Sequence, residues 1–582
     1  MKSFASYQPA GIGIRNLLLV CGLWLAGGAI AQPVADHPPG YAVVSAHPLA
    51  TKIGMQVLGA GGNAFDAAVA VSAALAVAEP AGSGIGGGGF WLLHRAADDL
   101  DVMVDGRERA PQAADPKMYL GADGKYQRDL SLNTPLAAGI PGQPAALAHI
   151  SRTYGNLPLK DVLSPAISLA RRGVPLDGHM RKLLEWRREV MLRSPAAASV
   201  FLKNAAVPDK GYIFRQPDLA RTLERLASEG EAGFYQGKTA ALLVEGVRKA
   251  GGIWTLEDLT AYRVVEREPV SFEFLGHRIV SASPPSAGGT TLRIALGALE
   301  GAGWAQQGGL NRKHMRIEAM RRAYRVRALY LGDPDFNVLP MERLLSPRYS
   351  LALARTIRSG RATPSSSLPE PVYLPEDGPN TTHFSIIDSE GNRVAATLSI
   401  NYPFGSGFMP PGTGVLLNNE MDDFAITPLN KDGATIITEH PNAVRGGRRM
   451  LSSMSPTFIE GPDRIAVVGT PGGKRIISMM LGAILTFVEG GDATQMVSLP
   501  RIHHAYLPDE VIYEPGAFNS AEVSALSARG HQLNESTRPY GNMQALIWHT
   551  RRQELEVASD PRGLGKGSTK RISQSYTGTD PQ

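Results

Sequence analysis

The segment "NTTHFSIID", residues 380–388, sets two hydroxyls and an imidazole at the head of an apolar, β-branched run. A hydroxyl attacks well only after a base has taken its proton, and proteins supply that base as a neighbouring His or Lys or as a chain-terminal amine. Two readings compete. Thr-Thr inside a strand needs no chemistry, because β-branched residues suit a pleated sheet. Alternatively, a cut between Asn380 and Thr381 would give Thr381 a free α-amine titrating at about 7.7–8.0, close to the pH at which a general base is most effective. Nucleophile and base would then share one residue. The stretch before it, "GRATPSSSLPEPVYLPEDGPN", is an irregular connector rich in Ser, Pro, Gly and acidic residues, whereas strand signals follow at once.

Other chemistries find less support. No G-x-S-x-G elbow occurs. His503 and His504 are adjacent, and neither has the spacing of a zinc motif. "GSGIGGGGF" matches G-x-G-x-x-G through Gly84, Gly86 and Gly89, but a helical pattern precedes it and "FWLLHR" follows as a strand. A dinucleotide site requires the reverse order, so a turn with crowded backbone is the better reading. "GFYQGKTAALL" resembles a phosphate loop, yet Ala232 stands where its first glycine belongs.

The elements that must position Thr381 are legible in outline. "YAVVSA" (41–46) reads as a strand, followed by Ala-rich helices at about 50–58 and 64–79, the second apolar all round and therefore buried against a sheet. "THFSIID", the turn "SEGN" and "RVAATLSIN" form a hairpin pattern. Further strand-like runs are "GVLLNN", "PTFIEG", "RIAVVGT" and "QALIWH", with a helix over "RIISMMLGAILTFVEG". Sheets flanked on both sides by helices predict a layered α/β architecture. The arginines of "RKLLEWRREVMLR" and "RKHMRIEAMRRAYRVRALYLGD" read as solvated helix faces.

The chain has 582 residues, 43% hydrophobic and 19% charged, with a net charge of +5. Those are globular values, and the scattered basic residues do not suggest nucleic-acid binding. Lys2 and Arg15 precede an apolar stretch that ends in Ala29-Ile30-Ala31, so residues 1–31 read as a signal peptide and predict a periplasmic or secreted protein without a stable membrane anchor. The apolar core is short for a membrane span. The lone cysteine, Cys21, lies within this segment, which leaves a mature chain with no disulfide and no thiolate.

"PNTTHFSIIDSEGNRVAATLSIN", "GVLLNNEMDDF", "MLSSMSPT", "GTPGGKRII" and "PRIHHAYLPDE", together with the upstream "GIGGGGF", "DGRERAP" and "EAMRRAYRVRALYLGDPDF" and the late "ASDPRG", resemble the γ-glutamyltransferase family of N-terminal nucleophile hydrolases. The match runs in order from about residue 40 to 563. The resemblance implies an αββα sandwich built jointly by two subunits of one precursor, a large subunit (32–380) and a small one (381–582), cut between Asn380 and Thr381. It implies Thr381 as nucleophile, Ser399 in place of the family's usual second threonine, and Gly472 and Gly473 as oxyanion donors. Arg107, Ser452 and Ser453 would hold a substrate α-carboxylate, and Asn401, Glu420 and Asp423 its α-amine. Arg109 reads as a surface charge, and strand alternation would turn Asp422 away. The segment between Phe424 and Leu451 has lid-like length, but "TPLNKDGATIITEH" carries no aromatic residue. The implied donor is glutathione or another γ-glutamyl amide, the acceptor is water, an amino acid or a dipeptide, and no metal or organic cofactor is implied. Rival readings are a glutaryl or cephalosporin-type acylase, a poly-γ-glutamate processing enzyme and a non-catalytic binding protein.

Overall fold

The computed structural model describes residues 37–373, 378–427 and 435–572. The expected signal peptide, part of the connector before Asn380, half of "TPLNKDGATIITEH" and the last ten residues lie outside the described residues.

Two antiparallel sheets form the centre. In the seven-stranded sheet the order is Lys566–Arg571, Gly40–Ser45, Thr382–Ile387, Arg393–Ser399, Gly88–Arg95, Leu100–Gly106 and Val265–Arg267. The six-stranded sheet runs Glu554–Ser559, Gln544–His549, Arg464–Gly469, Thr457–Glu460, His277–Ser281 and Val270–Phe274. Strand alternation divides the side chains between two cores. Trp91, Leu93, Val102 and Val104 pack outward with the helices Pro48–Gly59 and Ala64–Ala78. Phe90, Leu92 and Met103 face the second sheet, in a core that continues to the helices Gly288–Gly301, Gly309–Tyr330 and Arg475–Val488. The result is helices, sheet, sheet, helices, as the layered α/β expectation requires.

The expected strands at 41–46, 382–387 and 393–399 form, and the last two pair as the predicted hairpin. Every residue of Ala64–Ala78 is buried. Each fully buried Val, Leu or Phe contributes about 1.5–3 kcal/mol, and the small alanines let the helix lie close to the sheet. Asn63 and Asp66 close its N-terminus as a reciprocal capping box.

Two expectations fail. "GVLLNN" is not a strand: Ser406 N–H and Phe408 O bond Leu417, while Asn418 N–H bonds Gly86 O, so its backbone is satisfied by irregular partners. The arginines of the two middle helices are not all solvated. Arg187 is buried and donates to Pro403 O and Gly405 O, and Arg321, Arg322 and Arg327 are buried among carboxylates and hydroxyls.

The glycine run explains itself at two places. A Cβ on Gly86 would stand 1.9 Å from Leu416 O, and one on Gly87 2.2 Å from Ser399 O. Backbone, not a flexible side chain, blocks the space, which accounts for the glycines without a cofactor. Gly87→Ala is therefore expected to destabilise the fold by about 3 kcal/mol or more through overpacking. Thermal unfolding of the variant checks this, and an unchanged midpoint would refute it.

Candidate active site

The hairpin sets the first distances. Thr381 precedes the strand Thr382–Ile387, and Ser399 ends its antiparallel neighbour, so the two hydroxyls meet at one edge. With the Asn380–Thr381 bond intact, Thr381 Oγ1 donates to Asn380 O at 2.6 Å. Ser399 Oγ lies 3.4 Å from Thr381 Oγ1 and donates to the same carbonyl at 3.2 Å, while accepting Asn401 N–H at 2.7 Å. The residues on either side of Thr381 are also gripped from outside: Asn380 Nδ2 donates to Ala81 O and Thr382 Oγ1 donates to Glu79 Oε2. His383 is no base for this hydroxyl. Its ring bonds Thr397 and Ser385 within the sheet, and burial pushes it down to about 3.

Thr381 opens onto a pocket lined by Arg107, Ser399, Asn401, Glu420, Asp423, Ser452, Ser453 and Gly473. The sequence-predicted set is thus brought together, with Gly472 just behind. Arg107 lies between the acids. Its NH1 donates to Glu420 Oε2 and its NH2 to Asp423 Oδ2, each at 2.6 Å, and it also meets the carbonyls of Met450 and Leu451. Burial opposes the guanidinium charge, but Glu420, Glu108 and Asp423 outweigh burial and hold Arg107 more basic than usual. Glu108 is fully buried, 3.4 Å from Arg107 NH1, and is driven well above the ordinary carboxyl range by burial and by Glu420. It was not among the expected site residues. Its only sequence signal is its place next to Arg107.

Two local expectations need correction. Glu420–Asp423 is a 3₁₀ turn rather than a strand, so a period near three, not two, turns Asp422 away. Asp422 instead accepts from Ser131, Tyr126 and Arg128. Arg109 is half-buried, with its guanidinium donating to Gly447 O and Ala261 O, rather than a free surface charge.

On the far wall Gly472 and Gly473 both have positive φ, +140° and +56°, which glycine alone adopts readily. Among the described residues neither N–H has a hydrogen-bond partner. That suits donors aimed at a transient oxyanion. Helix Gly309–Tyr330 supports this wall: Tyr324 OH donates to Lys474 O, next to Gly473, and Arg327 NH2 donates to Ser453 Oγ at 2.7 Å.

The family model described as Gamma-glutamyltranspeptidase matches residues 50–569. The chain belongs to this family. It is 37% identical over 534 residues to the "Glutathione hydrolase proenzyme" of Pseudomonas sp. (strain A14), covering 91% of this chain and 92% of that protein. Among solved structures, a cephalosporin acylase from Bacillus halodurans superposes with a TM-score of 0.80 at 25% identity, over 95% of this chain and 99% of that one. A chain of Helicobacter pylori gamma-glutamyltranspeptidase matches with a TM-score of 0.54 at 40% identity, over 56% of this chain and 94% of that one.

For this γ-glutamyltranspeptidase family member, one group among the described residues has metal-ligand spacing, namely His94, Asp101 and Glu460. Its carboxylates are already paired with Arg278 and Arg393, and none of the three lines the Thr381 pocket. No helix among the described residues is long and apolar enough to cross a membrane.

Glu79 is the second residue that motif reading passed over. Burial, with Asp177 nearby and against the Thr382 hydrogen bond, pushes its carboxyl up to about 7 from an ordinary 4.5. The folded state therefore holds this proton more tightly than the unfolded chain does, and Glu79 lowers stability progressively as pH rises from 4.5 to about 7. Glu79→Gln, which keeps an acceptor for Thr382, should gain stability over the parent by about 2 kcal/mol as pH passes from 5 to 8. Melting curves at both pH values, in a Thr381→Ala background, check the sign. A gain that shrinks with rising pH would contradict it.

Proposed function

We propose that this chain is a γ-glutamyltransferase and glutathione hydrolase that matures by cutting itself between Asn380 and Thr381. Residues 32–380 then form a large subunit and 381–582 a small one, held together by sheets that draw strands from both. Residues 1–31 direct export to the periplasm or beyond. The relative named as a proenzyme supports maturation by processing.

In the first reaction Thr381 Oγ1 attacks the carbonyl carbon of Asn380, the C–N bond breaks, and Asn380 becomes an ester on the Thr381 hydroxyl. Water opens the ester, leaving the Asn380 carboxylate and a free Thr381 α-amine. In the second reaction that amine takes the hydroxyl proton as Oγ1 attacks the γ-carbonyl of the donor, and passes the proton to the departing amine. Gly472 and Gly473 N–H groups receive the oxyanion. Water or an acceptor amine then releases the γ-glutamyl group. Ser399 steadies the nucleophile in both reactions.

The observation that carries this reading is Arg107 held between Glu420 and Asp423 beside Thr381. A substrate with both an α-carboxylate and an α-amine can exchange partners with this cluster. Its carboxylate takes Arg107, assisted by Ser452 and Ser453, and its ammonium takes Glu420, Asp423 and Asn401. A glutaryl group, lacking the amine, would leave two buried carboxylates without their cation, which costs several kcal/mol. The likeness to a cephalosporin acylase keeps acylase activity as the second reading, and the acidic pair argues against it.

Purified mature protein is expected to release anilide from γ-L-glutamyl anilide at least about 100-fold faster than from glutaryl anilide, since a buried charge left unpaired costs about 3 kcal/mol or more. Equal or reversed rates would move the protein to the acylase reading. Thr381→Ala should remain a single band on a denaturing gel and show no turnover, whereas two fragments or residual turnover would remove Thr381 from its role. Ser399→Thr should mature and work, while Ser399→Ala should slow both reactions by about 10-fold or more, the worth of a hydrogen bond made to a reacting group.

A further inference from the structure

Helix Gly309–Tyr330 backs the pocket wall with two residues one turn apart, Tyr324 and Arg327. Tyr324 holds the Gly472–Gly473 turn through Lys474 O. Arg327 is 1% exposed and donates through NH2 to Ser453 Oγ at 2.7 Å, although it does not line the pocket itself.

A guanidinium has five donors and no acceptor. Ser453 Oγ must therefore accept from Arg327, and its single proton is left to donate elsewhere. The neighbouring hydroxyl is set in the same sense, since Ser452 Oγ accepts Met454 N–H at 3.1 Å. Both serines line the pocket. Without such partners a serine hydroxyl rotates to donate or accept as its ligand demands. With one lone pair of each engaged, both hydroxyls still have a proton to give, so this wall can offer two donors to an acceptor with several lone pairs.

We propose that Arg327 is a positioning residue that fixes Ser453 as a hydrogen-bond donor, and so makes this wall of the pocket selective for the donor substrate's α-carboxylate. The inference rests on the reading of the pocket as a γ-glutamyl head-group site. Arg327 touches no substrate atom. It acts through the direction of one hydroxyl.

The test compares γ-L-glutamyl anilide with 4-aminobutanoyl anilide, which keeps the amine and lacks only the α-carboxylate. The parent enzyme is expected to prefer the glutamyl compound in kcat/KM. R327M should lose about 10-fold or more of that preference, the worth of a hydrogen bond to a charged group, while kcat/KM for the 4-aminobutanoyl compound stays within about twofold. S453A should lose a similar factor, and R327M/S453A should lose no more than the larger single loss, because both changes remove one interaction. Equal losses on the two substrates would mean that Arg327 is merely structural and would overturn the proposal, as would single losses that multiply in the double variant. If R327M yields no processed protein, R327Q and R327K take its place in the same comparison. Failure of all three to mature would make Arg327 a folding residue and end the proposal. A parent enzyme with no preference between the substrates would instead refute the head-group reading itself, which the parent's measurement alone reveals.

Discussion

The Thr381 hydroxyl is bonded to the carbonyl of the residue before it, and much of the surrounding structure serves to hold that contact. A residue at the start of a strand is free on its N-terminal side, so the strand alone cannot fix it. The connection is made from three directions. Ser399, across the hairpin, bonds the same carbonyl. Ala81 O takes the Asn380 amide and Glu79 takes the Thr382 hydroxyl, one on each side of Thr381. Both come from the turn after the buried helix Ala64–Ala78. Close-packed alanines hold that helix against the sheet more tightly than a solvated helix could be held.

The pocket depends on a second constraint, the balance of buried charge. Arg107, Glu108, Glu420 and Asp423 are all buried, with three acids against one guanidinium. Such a group is costly unless every charge is matched. Burial and Glu420 push the Glu108 carboxyl toward its neutral form, while Arg107 pulls it the other way. The remaining two acids share Arg107 through separate nitrogens. On the proposed function, a zwitterion gives Arg107 a carboxylate and gives the two acids an ammonium in its place. A ligand with one charge cannot do so.

How much of this was legible in sequence depended on the range of the interaction. The strand pair at 382–399 followed from local alternation, the layered architecture from the order of elements, and the grouping of the candidate residues around Thr381 from the family motifs in which they stand. The glycine run was read correctly as crowding because its flanking elements stood in the wrong order for a cofactor. Partners distant in sequence were not legible. Arg107 and Glu420 are 313 positions apart, and nothing near either announces that they share a bond. The arginines of Gly309–Tyr330 read as solvated because arginine usually is, yet Glu318 stands three and four residues before Arg321 and Arg322 and pairs with both inside the protein. That spacing was the available signal. "GVLLNN" misled for the opposite reason: its apolar run is buried, but its backbone bonds to loops rather than to a sheet edge.

The position of residues 378–380 adds a last step. Asn380 N–H bonds Asn401 O at 3.2 Å, and a Cβ on Gly378 would stand 1.7 Å from Asn401 Oδ1. The chain before Thr381 therefore lies against Asn401, the residue proposed to hold the substrate's amine, and Gly378 itself lines the pocket. Nothing larger than glycine fits there, so the close approach belongs to the fold and is not incidental. On the proposed maturation, one bond break has two consequences that need no separate machinery. It frees the α-amine that serves as base, and it detaches the segment pressed against Asn401. Nucleophile and head-group site then become available together, and an uncut chain lacks both for the same geometric reason.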